Sequence, residues 1–150
     1  MAPDVEVLRA PHVLEYTYTR STGPVVGAFL AGLRDGKVFG VRGSDGRVLV
    51  PAVDYDPLTA EDLDELVAVG TEGVVTTWAW NETPLLQQPF EDRPFAWALV
   101  LLDGADTALL GAVDVASADQ ISTGARVRVR WRDERVGAIT DIACFEVVGT

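Results

Sequence analysis

The alternation of apolar and polar positions along the chain predicts one helix followed by a series of short strands. The strongest stretch is Pro94-Phe95-Ala96-Trp97-Ala98-Leu99-Val100-Leu101-Leu102, closed by Asp103-Gly104. Read as a strand, it places Phe95, Trp97, Leu99 and Leu101 on one face and Ala96, Ala98, Val100 and Leu102 on the other. Both faces are apolar, as in a central strand of a small closed barrel. The run falls short of the roughly 20 apolar residues that a membrane-spanning helix needs. Pro94 and Phe95 are expected near the surface, with Leu99 to Leu102 in the core.

Upstream, Ser21 or Thr22 as cap, Pro24 near the first helical position, the stripe Val26, Phe29, Leu30 and Leu33, and Gly36 as stop predict a helix over 24–34. Lys37 to Arg42, the turn Gly43-Ser44-Asp45-Gly46 and Arg47 to Pro51 read as a β-hairpin. Thr59 with Asp62 reads as a weak capping box for a helical turn through Leu66. Further strands are expected over 73–80, 107–114, 125–132 and 136–148. Five barrel strands with a short bridging segment after the third predict an OB-type barrel, so the chain is mainly β with an N-terminal helix. The expected division is an extended arm over 1–22, the helix and hairpin over 23–72, and the barrel over 73–150.

The arm alternates Val13, Glu15, Thr17 and Thr19 with Leu14, Tyr16 and Tyr18. It reads as an edge strand packed on the core, or as an arm that orders on a partner.

Length and charge narrow the functional classes. A chain of 150 residues fits one domain with an appended subdomain. Its formal charge of −11 opposes a phosphate backbone and disfavours nucleic acid as a partner. The first nine residues lack the basic start and apolar core of a signal peptide, which makes a cytoplasmic location the default expectation. Cys144 is the only cysteine, in an apolar strand where a buried thiol is expected.

No catalytic residue can be nominated. His12 is the sole histidine and has no nucleophile motif around it. Gly40 to Gly46 lacks the spacing and lysine of a phosphate-binding loop, and Asp54 and Asp56 lack the loop pattern of a calcium site. Two groups of residues remain as binding candidates. Arg126, Arg128, Arg130 and Arg132 share one strand face, where they can meet CoA phosphates or an acidic partner, or serve as solvated charges that block strand pairing. Tyr16, Tyr18, Phe29, Trp78, Trp80, Pro94 and Phe95 form the candidate partner interface, with core packing the competing role for the tryptophans. By parity, Trp78 and Trp80 share a face with Thr76.

The order of several segments carries a resemblance: Gly32-Leu33-Arg34-Asp35-Gly36, the hairpin Arg42 to Pro51, the strand after Gly73, and Pro94 to Gly104. From about Gly23 to Val147 the chain resembles the zinc-ribbon plus OB-fold family long filed as a domain of unknown function. Tyr55-Asp56-Pro57 and Pro94 to Ala98 look most like the subgroup paired with a lipid-transfer-protein type thiolase homologue acting as a retro-aldolase on steroid acyl-CoA. The resemblance implies a non-catalytic accessory subunit of a thiolase-like or aldolase partner, with acyl-CoA as substrate at the complex and no cofactor of its own. Typical members carry two pairs of cysteines in the ribbon. Here Gly43 stands near the first pair, and Asp56 and Thr59 fall near the second, so a metal-free ribbon is expected. The alternative from another class is a stand-alone OB module for a CoA thioester or single-stranded nucleic acid.

Overall fold

The computed structural model describes residues 7–149. The one α-helix among the described residues, α1 (Pro24–Arg34), starts with Pro24 where a missing N–H costs nothing. Neither Ser21 nor Thr22 caps it. Gly23 is the N-cap, and the free N–H of Val25 donates instead to Asp54 Oδ1 at 2.9 Å, from a loop 29 residues downstream. Val25, Phe29 and Leu33, four residues apart, form the buried stripe, with Leu30 partly buried beside it. At the other end Gly36 takes φ +71° and Lys37 N–H returns to the Gly32 carbonyl at 2.8 Å.

The helix packs on a three-stranded antiparallel sheet of β1 (Val38–Arg42), β2 (Val48–Leu49) and β3 (Leu66–Val69), ordered β2-β1-β3. This is the expected hairpin plus one strand the sequence reading did not include. Residues 59–66 form no helix. Thr59 gives its N–H to Asp56 Oδ1 at 3.1 Å rather than capping a new turn, Tyr55 pairs with Asp62, and Leu66 is drawn into the ladder opposite Val41. Long-range strand pairing outweighs a weak local capping signal.

Beyond Gly70 and Thr71 lie the five barrel strands: β4 (Glu72–Asn81), β5 (Phe95–Leu102), β6 (Leu109–Asp114), β7 (Arg126–Trp131) and β8 (Ile142–Val147). They close in the order β4-β5-β6-β8-β7, with β7 returning to β4 and β6 running parallel to β8. This closed five-stranded ring with a 3₁₀ turn (Ala118–Gln120) after its third strand is an OB-type barrel. Val75, Ala96, Ala98, Val100, Leu102, Val113, Val127 and Phe145 fill it.

A bulge in β4 at Thr76 alters the parity expected from the sequence. The register against β5 steps from Val75↔Val100 to Thr77↔Leu99, so Thr76 faces out and donates its hydroxyl to the Leu99 carbonyl at 3.0 Å. Trp78 and Trp80, expected on the face of Thr76, turn inward and pack against the core. At the start of β4, a Cβ on Gly73 would lie 2.3 Å from the Leu101 carbonyl oxygen, so only glycine lets the two backbones approach this closely.

Asp106, in the β5–β6 turn, joins ribbon to barrel by exchanging bonds with Val48, accepting its N–H at 2.8 Å and donating to its carbonyl at 2.8 Å. Thr107 Oγ1 does the same for Val50, at 2.7 and 2.9 Å.

Within the ribbon, the Asp56 carboxylate accepts backbone N–H groups from Ser44 at 2.6 Å, Leu58 at 2.7 Å and Thr59 at 3.1 Å. These bonds, led by that from Ser44, pull its pKa down to about 2. The carboxylate thereby ties together the two turns where cysteine pairs are typical of the resembled family. Among the described residues no cluster of three or more His, Cys, Asp or Glu side chains is placed to hold a metal ion.

Candidate partner interface

β5 governs the surface because its two apolar faces have different fates. The even positions from Ala96 to Leu102 fill the barrel. The odd positions, Phe95, Trp97, Leu99 and Leu101, lie outside it. At the open end Phe90, from the loop 82–94, covers Phe95 with ring centroids 5.5 Å apart, and Trp97 meets Phe95 edge-on at 5.1 Å. Arg93 lies over the Phe90 ring, 4.0 Å from its centroid, and its guanidinium reaches Asp114 Oδ1 at 2.6 Å.

Phe95, expected at the docking surface, is therefore fully buried, sharing a small cluster with Ala112 and Cys144. Phe29 is likewise buried, in the helix stripe against the ribbon. Neither can meet a partner without the fold opening. Leu99, expected in the core, is 37% exposed, because its position belongs to the outer face.

What remains uncovered is an apolar strip across three strands. Thr77, Leu99 and Leu110 are cross-strand neighbours in one row; in the next, Ala79 and half-buried Trp97 are followed by Ala112, which is buried. Leu110, at 60% exposure, is the most open large side chain of the strip. Two shallow depressions of about 200 and 130 Å³ share Trp97 and Leu110 in their walls. Leu110 and Ala79 escaped the sequence reading. Their place on the outer face follows from the register, Leu110 opposite Leu99 and Ala79 opposite Trp97.

The other interface candidates lie apart. Pro94 is half-buried beside the loop. Trp80, packed on the core, donates Nε1–H to Glu82 Oε2 at 2.6 Å. Tyr16 and Tyr18 are 71% and 72% exposed, with rings 5.9 Å apart, on a segment that forms no helix or strand.

The arginine row is largely spoken for. Arg126 forms ion pairs with Asp103 and with Glu72, the latter at 3.2 Å, which raises its pKa and pulls that of Asp103 down. Arg128 donates to Glu146 at 2.8 Å, and Arg130 to Asp114 Oδ2 at 2.7 Å. Burial pushes the Asp114 carboxyl up, but the bonds from Arg93 and Arg130 outweigh it and leave its pKa low. Arg132 donates to the Thr140 carbonyl at 2.6 Å. Each guanidinium of the row thus has an acceptor within the chain. The row's partners, from β4, β6, β8, the β5–β6 turn and the 139–141 turn, are ones a one-strand reading does not see.

Cys144 is buried, and loss of water around it pushes its thiol up to about 11. It is thus a packing group rather than a nucleophile.

The closed barrel with its helix and ribbon defines an OB-fold protein, and comparison with known proteins narrows the class. Residues 66–132 match the family model described as ChsH2, C-terminal OB-fold domain. The matched segment runs from β3 through β7, and over it the chain is similar to that family. Two solved structures share the fold. One is a protein of unknown function from the DUF35 family of Sulfolobus solfataricus, 21% identical, covering 84% of this chain and 85% of that one with a TM-score of 0.59. The other is a chain of the Ltp2-ChsH2(DUF35) aldolase, 18% identical, covering 86% of this chain and 98% of that one with a TM-score of 0.60. No curated protein matches the chain. No helix among the described residues is long and apolar enough to cross a membrane.

Proposed function

We propose that the chain is a non-catalytic accessory subunit of a thiolase-like enzyme, specifically a retro-aldolase acting on a steroid or related acyl-CoA. The observation that carries this reading is the match of residues 66–132 to the ChsH2 C-terminal OB-fold model. It is supported by the shared fold with a chain of the Ltp2-ChsH2(DUF35) aldolase. In this reading the partner supplies the reacting groups and the acyl-CoA site. This chain binds no cofactor and contributes a surface, with the outer strip around Trp97, Leu99 and Leu110 available for burial against the partner.

The physical role is stabilisation by association. A subunit that binds the folded partner and not its unfolded chain stabilises it by mass action. The test is to assay an Ltp2-type aldolase from the same source for carbon–carbon cleavage of a steroid side-chain acyl-CoA, alone and with this chain at equal concentration. Activity should depend on the added chain, and the chain alone should turn over nothing. Full activity of the aldolase by itself would overturn the proposal.

A further inference from the structure

The arm carries the seven-residue stretch Val13 to Thr19, of which Leu14 to Thr19 alternate strictly, with Leu14, Tyr16 and Tyr18 toward one side. β-branched and aromatic residues dominate it, as in strands. Yet residues 7–20 pair with no strand, and no backbone hydrogen bond ties them to the rest of the described chain. Leu14, Tyr16 and Tyr18 are all at least 70% exposed. A segment with strand chemistry, unpaired backbone and open apolar side chains is half of a ladder.

The other half is poorly supplied by this chain. Its barrel is closed, which leaves no barrel edge to extend. The ribbon sheet ends in β2, of two residues, and β3, of four, both shorter than the stretch Val13 to Thr19. A second copy therefore cannot pair the whole stretch.

We infer that Val13 to Thr19 adds as a strand to an exposed sheet edge of the partner subunit, with Tyr16 and Tyr18 seated on the partner's sheet face. This rests on the accessory-subunit reading and specifies how the contact is made. Strand addition draws affinity from main-chain bonds and specificity from alternate side chains. Seven residues at about 3.3 Å each reach along roughly 23 Å of edge.

Only every second N–H of an added strand points at the edge it joins. The full chain is therefore compared as Thr17→Pro against Thr17→Ala, and Tyr18→Pro against Tyr18→Ala, measuring Kd for an Ltp2-type aldolase subunit. Proline removes the N–H, and the alanine variant accounts for the lost side chain. One of the two adjacent prolines should weaken binding at least tenfold relative to its alanine control, and the other less than threefold. Equal effects of both prolines, or no effect of either, would overturn strand addition. So would self-association of the isolated chain through the arm, seen by sedimentation and lost in both proline variants. If the unsubstituted chain binds no aldolase subunit, the accessory-subunit reading fails and the arm proposal with it. If it binds and the prolines do not discriminate, the arm proposal fails alone.

Discussion

The Asp56 carboxylate accepts the Ser44 backbone N–H at 2.6 Å, joining two ribbon turns that lie twelve residues apart in the chain. Three backbone donors converge on this one side chain. An ionised carboxylate does here what a ligand cluster does in a ribbon held by metal: it fixes two turns relative to each other.

The low pKa of Asp56 makes the ribbon acid-sensitive in a defined window. The folded value, about 2, lies below the ordinary 3.8, so the stabilisation is complete above about pH 4 and is lost as pH falls toward 2. In Asp56→Asn, the amide that replaces Oδ2 would face the Ser44 N–H donor to donor, or leave the other two N–H groups unpaired if flipped. The variant should melt lower than the unsubstituted chain at pH 7, and the gap should close toward pH 2. Thermal unfolding of both across that range measures it, and a gap independent of pH would contradict the role given to the charge.

Phe145 is fully buried in the barrel and fills the space beside Gly111, where a Cβ would come within 2.4 Å of its ring. Phe145→Ala should cost about 3–5 kcal/mol, and Gly111→Ala about 1–3 kcal/mol through forced displacement of that ring. Urea unfolding checks both. Denaturation midpoints unmoved by either would contradict the packing.

The buried thiol of Cys144, pushed up to about 11, should resist alkylation in the native chain and react as one thiol per chain once urea unfolds it. Mass spectrometry after iodoacetamide distinguishes the states. Fast modification of the native chain at pH 8 would show that the thiol is accessible.

Arg128 is paired with Glu146 on an exposed surface, an arrangement worth at most about 1 kcal/mol. Arg128→Gln should leave both the melting temperature and acyl-CoA turnover by the aldolase complex nearly unchanged. A severalfold rise in KM would instead show the guanidinium opening toward the CoA phosphates.

Leu110→Asp should weaken binding to the aldolase subunit while leaving the isolated chain folded, because its side chain is 60% exposed and the barrel is filled without it. Circular dichroism and Kd measured together separate the two effects. An unchanged Kd would remove the outer strip from the interface.

The features legible in the sequence are those set by local punctuation or by unambiguous periodicity. Pro24 and Gly36 bracket α1 as expected, and the hairpin and five barrel strands fall where turn residues separate apolar runs. The features missed depend on partners far along the chain. Asp54 caps α1 from 29 residues away, and Leu66 to Val69 joins β1 rather than following a Thr59 cap. Thr76 is bulged only because β5 holds the register on both sides of it. For the interface, an apolar stretch with two apolar faces did not say which face is inside. Phe95 and Leu99 share the outer face, and only Phe95 is covered there, by Phe90 from the loop 82–94, so the two exchanged expected places. Tyr16 and Tyr18 are open as the arm reading allowed, while Met1 to Glu6 of that arm lie outside the described residues.

The accessory-subunit claim is tested most directly by the mass of the assembly. This chain is co-expressed with an Ltp2-type aldolase from the same source, and the purified material is weighed by light scattering after size-exclusion chromatography. The expected result is one species containing both chains in a fixed ratio, surviving dilution to micromolar concentration. Two separate peaks, each at the mass of one protein alone, would contradict it.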